Sequence, residues 1–261
     1  MTLMNRIKPR DATRVVVKVG SSSVSGENAS KITQIVDALA SLVSADTEVV
    51  LVSSGAISTG IPLLALSERP DDLATQQAAA AVGQSVLVHR YQEELNRYAI
   101  VGAQVLLTAS DMQNSTHKSN ARQAMDRLLG LGVLPIVNEN DTVATQEIRF
   151  GDNDHLAALV TTLIDADLLI LLSDTDALYT KPPHQPGAER IANVGFGDDL
   201  KHVVIGEAGS GWGTGGAVTK VAAAQLATSF GAGVILGATD DIARILDGES
   251  LGTWFEPGTV S

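Results

Sequence analysis

The 261-residue chain has no cysteine, so it can form neither a disulfide nor a thiolate metal site. Aromatic residues make up only 3% of it, too few to build a platform on which single-stranded bases stack. Basic residues are outnumbered, with 18 Lys and Arg against 30 Asp and Glu. The resulting net charge of −12 argues against a nucleic-acid partner, because that affinity rests on clustered cations. No apolar run approaches the roughly 20 residues of a membrane span. The N-terminal MTLMNRIKPRDAT is basic without an apolar segment behind it, unlike a signal peptide. These absences lead to the expectation of a cytoplasmic protein with no membrane and no nucleic-acid partner. What is present is 44% hydrophobic residues, enough for one large α/β domain or two small ones.

The apolar residues alternate between two periods. β-Branched runs at Arg14–Gly20, Glu48–Val52, Ile100–Leu107, Val133–Val137, Asp167–Leu172 and Val234–Leu236 read as strands, and Gly252–Phe255 as a last, edge strand. Between them, Ile32, Ile35, Val36, Leu39, Leu42 and Val43 recur at helical spacing. Asp72–Tyr98 is rich in Ala, Gln and Leu, which favours helix, and its Gly83 is suited to a close approach between packed elements. Further helices are expected at Ala121–Leu131, from Leu156 onward, after Ala217 and at Asp240–Leu246. Lys181–Gly187, the one proline-rich stretch, reads as a surface loop because the α/β pattern resumes beyond it. Such alternation predicts an α/β fold: a three-layer αβα sandwich with a mostly parallel central sheet, residues 1–261 forming one domain.

One stretch concentrates polar chemistry. Asn138–Asp154, NENDTVATQEIRFGDND, holds five carboxylates and three asparagines in seventeen residues, between a strand end and a helix start. That is where open α/β sheets bind ligands. The amides suit a small polar molecule, and the carboxylates suit an ammonium group, a lysine or magnesium. Val143, Ile148 and Phe150 are expected to tie this loop to the core.

Three other places are suited to anions. Lys18 interrupts an apolar strand, where a charge is costly unless it meets an anion, and Gly20-Ser21-Ser22 follows it. Ser53-Ser54-Gly55-Ala56 turns from a strand into a helix, although an ordinary N-cap turn reads the same way. Gly209–Gly216 runs straight into Ala217-Val218-Thr219-Lys220 and a helix, combining glycine amides, a helix N-terminus and a lysine. Its spacing is neither that of a P-loop nor that of a dinucleotide fingerprint. The five histidines show no metal-like spacing, and no protein metal site is expected.

Together, VVVKVGSS at 15–22, VSSGAI at 52–57, AAVGQS at 80–85, NENDTVAT at 138–145, GDND at 151–154 and GTGGAVTK at 213–220 resemble the glutamate 5-kinase family of the amino acid kinase superfamily. The resemblance runs through nearly the whole chain in the right order. It implies ATP-dependent phosphorylation of the L-glutamate γ-carboxylate, the first step of proline biosynthesis, with magnesium and with proline as feedback inhibitor. It further implies that Lys18 and Lys220 contact the ATP phosphates, with Asp154 between them as organiser. Ser54, Asp141 and Asn153 would hold glutamate. Ser173, Asp174 and the loop Thr214, Gly215, Gly216, Ala217, Val218, Thr219 and Lys220 would hold the nucleotide. Members tend to form dimers or tetramers, so a homo-oligomer is expected. Two departures stand out: Ala217 replaces a frequent methionine, and the chain ends at Ser261, without the RNA-binding-type PUA domain of many members. The neighbouring readings are an aspartate or N-acetylglutamate kinase of the same fold, or a non-catalytic amino-acid or nucleotide sensor. Asp141 favours a free amino acid, because an acetylated one has no ammonium to pair with it.

Overall fold

The computed structural model describes residues 6–144, 153–201, 203 and 216–259. Its strands are β1 (Arg14–Val19), β2 (Glu48–Ser53), β3 (Val101–Leu107), β4 (Val133–Glu139), β5 (Leu168–Ser173), β6 (Leu178–Tyr179), β7 (Arg190–Ile191), β8 (Asn193–Val194), β9 (Gly233–Ala238) and β10 (Thr253–Phe255). The helices are α1 (Lys31–Val43), α2 (Ala56–Leu63), α3 (Leu73–Leu95), α4 (Ala109–Gln113), α5 (Ser115–Leu129), α6 (Asn153–Leu163), α7 (Ala217–Ser229) and α8 (Ile242–Leu246).

An eight-stranded sheet runs in the order β3-β4-β2-β1-β5-β9-β10-β8. From β3 to β9 every pairing is parallel, β10 is antiparallel to β9, and β8 runs parallel to β10. The chain places β2 on one side of β1 and β5 on the other, so β1 lies at the topological switch point. Register levels the carboxyl ends there: Val19 pairs with Ser53 on β2 and with Leu172 on β5.

Alternation along β1 separates two cores. Val15, Val17 and Val19 pack with α1, α3 and α8, whereas Val16 packs with α5, α6 and α7. Lys18 has the parity of Val16, so the period of two sends it to the α6 and α7 side. Two glycines let helices approach closely on the far side of β2. A Cβ on Gly60 would lie 1.9 Å from the Ala79 carbonyl oxygen, and one on Gly83 would lie 1.8 Å from that of Ala56. Gly83 therefore marks the close contact expected of it, where α3 crosses the start of α2.

Three expectations need correction. β10 is not an edge strand, because β8 lies outside it; two residues following a surface loop carry no periodic signal. Helix α5 begins at Ser115, capped by the Asn114 side chain, which accepts from the Thr116 and His117 amides. Its first turns are solvated and so show no apolar spacing. Val143 is 62% exposed and does not anchor the acidic stretch, while Ile148 and Phe150 lie outside the described residues. Ala144 is buried in its place, and its carbonyl accepts from Gln77 Nε2 at 3.2 Å.

Candidate active site

The carboxyl ends of β1, β2, β4 and β5 face the starts of α2, α6 and α7, and the candidate residues gather on that edge. Asp154 is the second residue of α6, where the helix dipole favours negative charge. Its side chain has no exposed surface and holds two ammonium groups. Lys18 Nζ, from β1, lies 2.5 Å from Oδ1, and Lys220 Nζ, from the first turn of α7, lies 2.9 Å from Oδ2. Thr219 Oγ1 is 3.3 Å from Oδ2 and donates to the Gly216 carbonyl at 2.9 Å. Burying such charges is tolerable only because they are paired. The shared carboxylate gathers two ammonium groups at one point of the sheet edge. The structure thus brings Lys18, Asp154 and Lys220 into contact across 202 residues of sequence (220 minus 18).

Asn153 turns the other way. Its Nδ2 donates to the Ser53 carbonyl at 2.9 Å and to Asn138 Oδ1 at 2.7 Å. Asn138 in turn donates to Gln84 Oε1 at 2.6 Å. Ser53 Oγ, 3.0 Å from the Tyr91 hydroxyl, ties the end of β2 to α3. Tyr91 has no exposed surface, and this desolvation pushes its phenol pKa up despite the hydrogen bond to Ser53. Ser54 follows directly; its amide donates to the Val19 carbonyl at 3.1 Å, which leaves its half-buried hydroxyl as the candidate ligand group. Gly55 then needs its positive φ of 102°, and a Cβ there would meet Val24 Cγ2 at 2.9 Å. Asp141 stands half-buried in the turn after β4, on the same sheet edge.

On the nucleotide side, Ser173 ends β5 and its hydroxyl donates to Asp174 Oδ1 at 2.9 Å. Its carbonyl accepts from Thr239 Oγ1 at 3.1 Å, and that hydroxyl is 2.7 Å from Ser23 Oγ, so the ends of β1, β5 and β9 are laced together. Gly216 is the extended N-cap of α7, and Ala217, Val218, Thr219 and Lys220 form its first turn. Val218 is 54% exposed. Thr214 and Gly215 lie outside the described residues.

Asn138 opens the polar stretch expected at this edge and Gln84 stands in the AAVGQS motif, but neither was given a role, and Tyr91, Ser23 and Thr239 were not anticipated as parts of this edge. Polar residues at strand ends were the available signal for Asn138 and Thr239. Gln84 and Tyr91 are hidden inside a long Ala- and Gln-rich helix.

Residues 13–236 match the model of the amino acid kinase family. This chain belongs to the amino acid kinase family. Within it, the chain groups with the glutamate 5-kinases. The glutamate 5-kinase of Leifsonia xyli subsp. xyli is 66% identical over 258 residues, covering 98% of this chain and 96% of that protein. That of Clavibacter michiganensis subsp. michiganensis is 67% identical over 246 residues, covering 94% of this chain and 95% of that protein. Among solved structures, a carbamate kinase from Giardia lamblia bound to AMP-PNP superposes with a TM-score of 0.69. It covers 95% of this chain and 100% of its own, at 14% identity, which is a likeness of fold. Among the described residues no helix is long and apolar enough to cross a membrane.

Proposed function

We propose that this amino acid kinase family member phosphorylates the γ-carboxylate of L-glutamate with ATP, giving L-glutamyl 5-phosphate and ADP, the first step of proline biosynthesis. The observation that carries the reading is the buried carboxylate of Asp154 gripping Lys18 and Lys220 on the edge that also holds Asn153, Ser54 and Asp141.

The acceptor is already a nucleophile, because a γ-carboxyl is ionised at neutral pH. One of its oxygens attacks the γ-phosphorus, the bond from that phosphorus to the β-phosphate oxygen breaks, and ADP leaves with those electrons. Charge balances without a proton transfer, so no general base is required. What the protein must do is align two mutually repelling anions and stabilise charge on the transferring phosphoryl. Lys18 and Lys220, held by the one carboxylate of Asp154, supply that positive charge. Ser54, Asp141 and Asn153 hold the amino acid, while Ser173, Asp174 and Thr214–Lys220 hold the nucleotide. Magnesium carried on ATP would neutralise charge on its phosphates.

Proline shares the α-amino acid headgroup, so it would inhibit by occupying the glutamate pocket, and added glutamate should relieve it. A dimer or tetramer in the cytoplasm is the expected working form. The deciding experiment is ADP release across glutamate, aspartate and N-acetylglutamate. Glutamate should be preferred, and a preference for either of the others would overturn the assignment.

A further inference from the structure

Three side-chain amides meet where β4, α3 and α6 converge, and two backbone groups dictate which way round each of them stands. The Ser53 carbonyl can only accept, so the Asn153 atom 2.9 Å from it must be Nδ2. The Glu139 N–H can only donate, so the Asn138 atom 2.8 Å from it must be Oδ1. Asn153 gives the second hydrogen of Nδ2 to that same Oδ1, at 2.7 Å. Asn138 is then left with Nδ2 facing α3, and Gln84 must present an acceptor there, as its Oε1 does at 2.6 Å. Asn138 is 2% exposed, and Gln84 and Asn153 are 8% exposed, so water cannot readily replace a lost partner.

This polarity has a consequence for Asn153. Both hydrogens of its Nδ2 are committed, so the group it can offer a ligand is the carbonyl oxygen, an acceptor. We infer that Gln84 is a positioning residue for substrate choice: by accepting from Asn138 it steadies the side chain whose Oδ1 takes one hydrogen of Asn153, so that Asn153, held also by the Ser53 carbonyl, keeps its carbonyl oxygen in place for an acceptor bearing an ammonium group. An acceptor oxygen attracts an ammonium and repels a carboxylate, so the same placement disfavours a diacid that lacks the amino group. The inference rests on the proposed glutamate kinase reading and deepens it. If Gln84 let go, the Asn138 Nδ2 would be a buried donor left unsatisfied, and the side chain would be less firmly held where it accepts from Asn153.

The test compares glutamate with glutarate, the same diacid without the ammonium group. The quantities are the KM for glutamate and the Ki of glutarate as a competitor, measured on the full chain. In Gln84→Met, which keeps length but removes the acceptor, the glutamate KM should rise about tenfold, the scale of one hydrogen bond to a charged group. The glutarate Ki should stay within about threefold, on the same scale. Gln84→Glu retains an acceptor for Asn138 and should keep both values within about threefold of the parent. Equal loss for both ligands in Gln84→Met, or no change in either, would overturn the positioning role. Should Gln84→Met fail to fold, Gln84→Glu decides, since it still accepts from Asn138. It should keep the preference for the ammonium-bearing ligand, and losing it would overturn the inference. A parent enzyme that releases no ADP with glutamate would instead remove the function on which the inference rests.

Discussion

Lys18 Nζ lies 2.5 Å from Asp154 Oδ1, in a pair whose side chains are 3% and 0% exposed. Because the same carboxylate also binds Lys220 at 2.9 Å, it holds in place two cations that would otherwise repel each other and swing away on flexible stems.

Asp154→Asn keeps the size of the side chain and removes this charge. The kcat should fall roughly 10²–10³-fold, the scale for losing one preorganised electrostatic contact. The glutamate KM should move little, since Asn153 and Asp141 are untouched. Leaving Lys18 buried without its counter-charge should also lower stability by about 3–5 kcal/mol, read from urea unfolding. Normal kcat with a large rise in glutamate KM would make Asp154 a substrate ligand instead.

Asp141 stands half-buried in the turn after β4, close to the strand end that carries Asn138. If its carboxylate pairs with the substrate ammonium, Asp141→Ala should raise the glutamate KM by about 10- to 150-fold, equivalent to about 1.5–3 kcal/mol. The ATP KM should change much less. Steady-state kinetics in both substrates separates the two, and an unchanged glutamate KM would remove Asp141 from the site.

Gly60 and Gly83 are constrained by backbone, which no rotamer change can relieve. An added methyl would meet carbonyl oxygens at 1.9 and 1.8 Å, forcing α2 and α3 apart. Gly60→Ala and Gly83→Ala should each cost about 3 kcal/mol or more, the upper end for overpacking. Gly20→Ala, whose methyl meets nothing nearer than 3.8 Å, serves as the comparison and should unfold at nearly the parent urea concentration. Equal midpoints for all three variants would show that the helices yield.

The sheet was legible because its strands are apolar on both faces and its helices on one, so the two periods stand out. Lys18 was legible for the same reason, as a lone charge in an apolar run. Its partner was suggested by family resemblance; spacing alone does not pair residues 18, 154 and 220. The members of the amide relay stood in the quoted motifs, but their pairing was illegible, because by spacing Gln84 looks like any polar residue of a long helix and nothing in the sequence joins it to Asn138. Val143 misled because a lone apolar residue in a polar turn carries no periodicity to say which way it faces. Asn153 was read as a ligand residue, but which of its two polar atoms is free depends on carbonyls and amides contributed by other strands.

Tyr91 provides a pH-dependent check on the packing behind the site. Its hydroxyl is buried, 3.0 Å from Ser53 Oγ, and desolvation raises its pKa above the ordinary phenol value. Tyr91→Phe should cost about 0.5–1.5 kcal/mol at pH 8, where the phenol is neutral in both the folded and the unfolded chain. The folded chain holds the proton more tightly, so the contribution is complete below the unfolded pKa of about 10 and is lost above it. In that window the unfolded chain ionises while the folded chain does not, and stability falls by up to about 1.4 kcal/mol per pH unit. Tyr98 and Tyr179 are also raised, chiefly by hydrogen bonds to Asp37 and Asp176, so parent and variant must be compared as a difference. That difference cancels the slopes they share. The parent's advantage over Tyr91→Phe, measured by urea unfolding from pH 8 to 11, should shrink above about pH 10 and then reverse. An advantage that stays constant across the range would mean that Tyr91 ionises as readily folded as unfolded, and that it does not seal the end of β2 against α3.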